Sequence, residues 1–207
     1  MALVYTEEQQ LLKDSVKGFL QQRAPISELR KLRDTQDGHG FCRTLWTDMS
    51  AMGWTGVVIP ELFYGLDFGY TGVGILCEEM GRTLSASPIL STALVSASLI
   101  NLAGSAQLNA ELLPAIVASE LVVTLAVDEA VRYNPKNIAL TAEPGDDGYR
   151  LNGSKIFVVD GHVADKIIVA VRSSGQPGHG PNALTIMSRS VTSTMPSPLT
   201  SPAVETA

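Results

Sequence analysis

The chain contains no dense block of lysine or arginine. Its 15 basic residues are scattered and are outnumbered by 21 acidic ones, giving a net charge of −6. That excludes a nucleic-acid surface, which needs clustered positive charge. Cysteine is nearly absent, with only Cys42 and Cys77 present. Both fall in helix-like patterns without metal spacing, so plain buried or half-buried thiols in a reducing cytoplasm are expected. Long apolar runs are missing too. The stretch 121–127 is far short of the roughly 20 residues needed to cross a bilayer. The opening MALVYTEEQQ has no basic segment followed by an apolar one, so it does not read as a signal peptide. The expectation is a soluble cytoplasmic protein. His39, His162 and His179 lie at no metal spacing from other ligand-type residues, and loop or surface roles are expected for them. Dinucleotide, phosphate-loop and nucleophile-elbow motifs are all absent.

What is present is ample apolar content. Hydrophobic residues make 45% of the 207 and charged residues 17%, which describes a globular chain of one large or two small domains. Thr6 and Gln9 fit a capping box, with Glu7 and Glu8 at the positive end of the helix dipole. Leu11, Leu12, Val16, Phe19 and Leu20 then form an apolar stripe at helical spacing, and Pro25 closes that helix. A polar second helix is expected over 27–33. A third over 43–52 turns Leu45, Trp46, Met49 and Met52 inward and stops at Gly53. After a Gly-rich irregular loop, 73–84 is helical again, with Val73, Leu76, Cys77, Met80 and Leu84 on one side. Pro88 opens a helix running to Leu102 and ending at Gly104; it is apolar nearly all round, hence central. A short helix over 107–113 follows, and Pro114 restarts a turn.

The grammar changes after Glu120. Residues 121–128 are rich in β-formers, 137–143 alternate, and Asp147-Gly148 supplies a hairpin turn. Residues 149–152, 155–160 and 166–171 read as further strands, and 183–187 as a last one. Helices and then strands in separate blocks predict an α+β fold. It comprises an N-terminal all-α domain over 1–120 and a small antiparallel β domain over 121–187. A Ser/Thr/Pro-rich tail over 188–207 is expected to be disordered.

Physical chemistry alone finds no catalytic constellation. Glu78 and Arg82 are spaced for a helical ion pair worth about 0.2–0.5 kcal/mol. Asp128 and Glu129 are adjacent carboxylates, and paired carboxylates can serve as acid and base. Strand neighbours point to opposite faces, however, so a solvated strand end is the better reading. Lys155 follows Gly153-Ser154 and reads as a strand-opening lysine.

Four segments, in order, carry a family resemblance: TEEQQLLKDSVKGFL; MGWTGVVIPELFYGLDFGYTGVGILCEEMGRTLSASP; LLPAIVASELVVTLAVDE; and GYRLNGSKIFVVDGHVADKIIVAVR. Over about residues 5 to 175 the chain resembles the N-terminal and middle portions of the acyl-CoA dehydrogenase family. The resemblance implies a helical domain, a β domain and a C-terminal four-helix domain, with FAD between the sheet and that last bundle. It also implies a Glu base that removes the substrate α-proton while hydride leaves the β-carbon for the flavin. The thioester oxygen would be held by hydrogen bonds. The family's Thr-Glu-Pro-x-x-Gly-Ser-Asp motif aligns with LAVDEAVRYNP, so that Glu129 matches, Asp128 replaces Thr and Tyr133-Asn134 replace Gly-Ser. Its Trp-Ile-Thr-Asn motif aligns with Phe157, Val158, Val159 and Asp160. Phe157 can stack on a flavin ring, whereas Val159 lacks the Thr hydroxyl and a carboxylate at Asp128 donates only when protonated.

By this resemblance Leu125, Val127, Asp128, Phe157, Val158 and Val159 are the expected FAD contacts, and Asn134 the expected substrate contact. No catalytic residue is identified, because the family's Glu belongs to the C-terminal domain. The expected identity is therefore a fragment, from truncation or a frameshift, of an FAD-dependent acyl-CoA dehydrogenase-like oxidoreductase of fatty acid metabolism. It would be inactive as this chain alone and homo- or hetero-oligomeric in intact form. Two rival readings are a non-catalytic subunit paired with a catalytic dehydrogenase, and a relative with another flavin reaction such as nitroalkane oxidation or monooxygenation.

Overall fold

The computed structural model describes residues 4–145, 148–174, 183–188 and 204–206. The chain divides into two compact units, Met1–Leu121 and Val122–Ala207.

The first unit is helical. Helix α1 spans Glu7–Arg23 and opens on the expected capping box. Gln9 N donates to Thr6 Oγ1 at 3.2 Å, and Thr6 N donates to Gln9 Oε1 at 3.1 Å. Thr6→Ala is expected to cost about 1 kcal/mol, read as a lower urea midpoint with faster amide exchange confined to the first turn. Val16 and Leu20 are buried, but Leu11 is exposed, so the apolar stripe is narrower than its spacing predicts. Helix α2 covers Ile26–Asp34 and α3 covers Arg43–Ala51. Leu45, Trp46 and Met49 face inward as expected. Met52 does not: it lies past the helix end and is 43% exposed. Gly53 turns the chain with φ +79°.

Helix α4, Gly69–Thr83, keeps Val73, Leu76 and Met80 buried. Cys77 is exposed rather than buried. Gly72, Ile75 and Glu79 widen the buried arc on the opposite side and leave Cys77 beyond its edge. Leu84 is exposed as well, because it adopts a left-handed cap at φ 52°. Partial desolvation of its sulfur by neighbouring atoms still raises the Cys77 thiol pKa, so exposure does not make it an activated nucleophile. Glu78 and Arg82 pair at 2.8 Å, inside a wider lattice. Lys13 reaches Glu78 at 3.1 Å and Glu79 at 3.8 Å, and Arg82 reaches Glu79 at 3.2 Å. Glu79 is buried, so these cations keep its charge paired.

After Pro88 the expected long helix is two pieces, a π-helix over Ile89–Ser96 and α5 over Ala97–Ala103. The wider turn places Ser91, Thr92 and Ser96 in the interior, while Leu90 and Leu102 are exposed. Helix α6 spans Ala106–Val117, with Pro114 inside it rather than restarting a turn. Leu112, Leu113 and Ile116 are buried on both sides of the proline. Their packing outweighs one missing helix hydrogen bond. Ser50 and Thr55 hydroxyls both donate to Val117 O at 2.7 Å, closing the helix end.

Among the described residues the second unit holds six strands: β1 Val123–Ala126, β2 Thr141–Gly145, β3 Gly148–Lys155, β4 Lys166–Val171, β5 Ala183–Ser188 and β6 Val204–Thr206. They form two three-stranded sheets, β1-β4-β5 and β2-β3-β6. The β1–β4 pair is parallel, with Val123 opposite Lys166, and the other pairs are antiparallel. The long excursion through the β2–β3 hairpin supplies the crossover a parallel pair requires. Gly145 pairs with Gly148, so Gly148 belongs to the strand, and the two hairpin residues between lie outside the described residues.

The strand expected over 155–160 does not form. β3 runs through to Lys155, and the chain then turns, with φ 54° at Phe157 and φ 56° at Asp160. The strand expected from 137 starts instead at Thr141. Apart from Ser188 and β6, the tail expected over 188–207 lies outside the described residues, as does His179. Among the described residues no helix is long and apolar enough to cross a membrane. No His/Cys/Asp/Glu group among them could hold a metal.

Candidate functional site

Chemistry in the second unit concentrates where the ends of β1 and β3 meet. Alternation along β3 puts Leu151, Gly153 and Lys155 in phase. Leu151 is buried, and Lys155 follows it inward to 1% exposure. A buried ammonium group must find acceptors. Lys155 Nζ donates to Val127 O at 3.0 Å and to Glu129 Oε1 at 2.6 Å. Glu129 also accepts from Ala139 N at 2.7 Å and Leu140 N at 3.0 Å. Glu129 is thus not a solvated strand end, and Lys155 closes its strand rather than opening one. β1 stops at Ala126, so residues 127–129 no longer alternate and Glu129 can turn inward.

The titrations follow from this setting. Burial pushes the Glu129 carboxyl upward, but the Lys155 ammonium and the two backbone N–H groups prevail and hold it below the usual carboxylate range. Burial dominates at Lys155 and lowers its pKa, against the raising effect of Glu129 and Asp128.

The two strand ends are joined through their backbones. Ile156 N donates to Asp128 O at 2.8 Å, and the Thr124 hydroxyl donates to Val159 O at 2.5 Å. The segments that carry six of the expected site residues, 125–128 and 157–159, are therefore held together. Leu125, Val127 and Asp128 are half-buried, and Phe157 and Val159 are 52% and 54% exposed. Val158 differs, because the residue is buried, at 4% exposure. Asn134 is exposed on the 130–137 loop, where its carbonyl accepts from Asn137 N at 3.0 Å. Among the described residues no hydrogen bond ties it to 124–129 or 155–159. His162 is exposed, and His39 is a half-exposed loop residue with Nδ1 3.6 Å from Asp37.

The N–H groups of Asp128, Phe157, Val158 and Val159 have no acceptor among the described residues. The two joined segments thus carry these unspent donors together with an exposed aromatic ring. Three residues central to this arrangement, Glu129, Lys155 and Thr124, are not read as site residues from the sequence. The one signal for Lys155 is its phase with Leu151.

Residues 6–120 match the family described as acyl-CoA dehydrogenase, N-terminal domain. The chain belongs to the acyl-CoA dehydrogenase family. It is 30% identical over 182 residues to the mitochondrial isovaleryl-CoA dehydrogenase of Arabidopsis thaliana, covering 86% of this chain and 44% of that one. It is 28% identical over 165 residues to the probable acyl-CoA dehydrogenase FadE10 of Mycobacterium tuberculosis, covering 74% of this chain and 25% of the other. Among solved structures, the ChsE4-ChsE5 complex of Mycobacterium tuberculosis superposes with a TM-score of 0.77 at 25% identity, covering 91% of this chain and 49% of that one. The chain spans half or less of the length of these relatives. Their fold agrees with the mostly helical unit and small sheet seen here.

FAD is the cofactor this acyl-CoA dehydrogenase family implies. An isoalloxazine ring offers N and O acceptors along its edge and an apolar face. The free N–H groups at 128 and 157–159, with Phe157 and Val159 beside them, fit that donor-plus-apolar requirement. The fit is made by backbone, so it does not depend on the hydroxyls that Asp128 and Val159 replace.

Proposed function

We propose that this chain supplies one wall of an FAD site in an acyl-CoA dehydrogenase-type oxidoreductase. The parent reaction is α,β-dehydrogenation of an acyl-CoA thioester. One observation carries the reading: backbone N–H groups at Asp128 and 157–159, without an acceptor among the described residues, lie in two joined segments that also carry the exposed Phe157 ring. Bound FAD supplies the hydride acceptor. Phe157 would cover the ring, the amides at 128 and 157–159 would orient its polar edge, and Leu125 and Val127 would exclude water. No carboxylate of this wall is assigned as the base. Glu129 is committed to Lys155 and two amides, and Asn134 is kept as a candidate substrate contact.

The test is whether the purified full chain takes up FAD. Retention of a yellow, flavin-absorbing protein is expected. Val159→Thr with Asp128→Thr adds hydroxyl partners, so the double variant should bind about tenfold tighter, the net worth of one added hydrogen bond. If neither protein binds flavin in an equilibrium titration, the proposed cofactor contacts are wrong.

The alternative role is a non-catalytic subunit. It is favoured by Asp128 and Val159 standing where the family motif has hydroxyls, and by a relative solved as a complex of two proteins. Flavin retained only on co-purification with a second dehydrogenase chain would select it.

A further inference from the structure

The wall contains an ion pair, buried Lys155 with half-buried Glu129, that the proposed chemistry does not use. Lys155 is 1% exposed and lies at the end of a strand. Its Nζ joins the end of β3 to the end of β1 through Val127 O and Glu129 Oε1. Glu129 extends the link to a third segment through Ala139 N and Leu140 N. That segment is fixed in turn, since Arg172 N donates to Leu140 O at 2.9 Å and Ala142 N to Arg172 O at 3.1 Å, at the end of β4. One ammonium group and one carboxylate thus cross-brace the ends of β1, β3 and β4. The free N–H groups sit directly beside the brace. Asp128 lies between Val127 and Glu129, and Phe157 lies two residues past Lys155.

The geometry points to Lys155, acting through Glu129, as the positioning residue for the flavin wall, holding the donors at Asp128 and 157–159 in mutual register before any cofactor binds. This rests on the FAD reading above. The physical need is specific. Donors on two separate loops can meet one rigid ring edge only if their spacing is held, and hydrogen bonds weaken steeply out of line. An apolar pair of similar volume could fill the space, but it could not accept from Ala139 and Leu140 while donating to Val127. Filling a core and aligning two loops are therefore separable functions.

The experiment compares the full-length wild-type chain with the double variant Lys155→Met, Glu129→Gln. Removing both charges together avoids an unpaired buried ion, and such replacements are often neutral for stability. The Gln amide oxygen can still accept from Leu140 N, while Ala139 N, on an exposed residue, can turn to water. The expected result is an unchanged melting temperature with FAD bound about tenfold more weakly, one hydrogen bond's worth of alignment, and an altered flavin absorption band. Equal affinity and an unchanged band in a stable double variant would overturn the assignment while leaving the FAD reading intact. A wild-type chain that takes up no flavin overturns both. Should the double variant fail to fold, amide relaxation of the cofactor-free wild type decides: residues 127–129 and 155–159 as rigid as the strands support the brace, and disordered ones overturn it.

Discussion

A Gly65→Ala substitution is expected to destabilise the helical unit by about 3 kcal/mol, at the upper end for overpacking. A Cβ at this position would lie 1.9 Å from Ile59 O, 2.4 Å from Ile59 C and 2.6 Å from Ile59 Cβ. The first two are backbone atoms of a residue with 0% exposure, so no rotamer change relieves the contact. The loop must open instead. That would release Gly65 N from Pro60 O at 3.2 Å, Leu66 N from Gly56 O at 2.9 Å and Asp67 N from Ile59 O at 3.0 Å. Gly18→Ala is the control. It lies within α1, where an added Cβ would meet nothing within 4 Å, and should stabilise by up to about 1 kcal/mol. Urea unfolding of the two variants beside wild type checks both. Equal midpoints for Gly65→Ala and wild type would show that the loop gives way freely.

Local signals in the sequence carry most of the helical unit. The capping box at Thr6, the stop at Gly53 and the ion pair at Glu78–Arg82 each depend on residues within four positions, and each is found. What spacing misplaces is settled by packing at a distance. Pro114 reads as a break because the sequence does not reveal that Leu112, Leu113 and Ile116 are buried around it. Cys77 reads as buried because the arc occupied by Ile75 and Glu79 is not visible in a stripe of apolar letters. The pattern Ile-Phe-Val-Val reads as strand, yet the chain reverses there with positive φ at Phe157 and Asp160. That reversal is what brings Phe157 and Val159 to the surface, so the departure from strand grammar coincides with the candidate site. The family resemblance pointed to these two segments as the candidate site. It did not reveal that backbone donors form it, nor that Lys155 and Glu129 brace it, because one ion pair 26 residues apart leaves no periodic trace.

Lys155→Met alone is expected to cost about 3 kcal/mol, the low end of the penalty for stranding a buried charge, because the Glu129 side chain is only half-buried. Glu129 would keep its bonds from Ala139 N and Leu140 N but lose its counter-ion, its side chain being 16% exposed. The pH dependence identifies the cause. In wild type the folded carboxyl titrates below its unfolded value of about 4.5. Its contribution is therefore full above that pH and lost as pH falls through the folded pKa. Lys155 has the opposite charge but a shift in the same direction. The unfolded state binds more protons than the folded one between its two pKa values, so stability from this group also rises with pH. Removing the ammonium leaves burial, the largest influence on Glu129, opposed only by the two amides. The carboxyl pKa then moves up toward or past its unfolded value. The acid-side loss of stability in the β unit should shrink or reverse, even though the variant is less stable at neutral pH. Urea midpoints measured between about pH 3 and 7, across the ordinary carboxylate range, test this. A variant as stable as wild type at neutral pH, with an unaltered acid slope, would mean that Glu129 finds full solvation elsewhere and that the brace carries no energy.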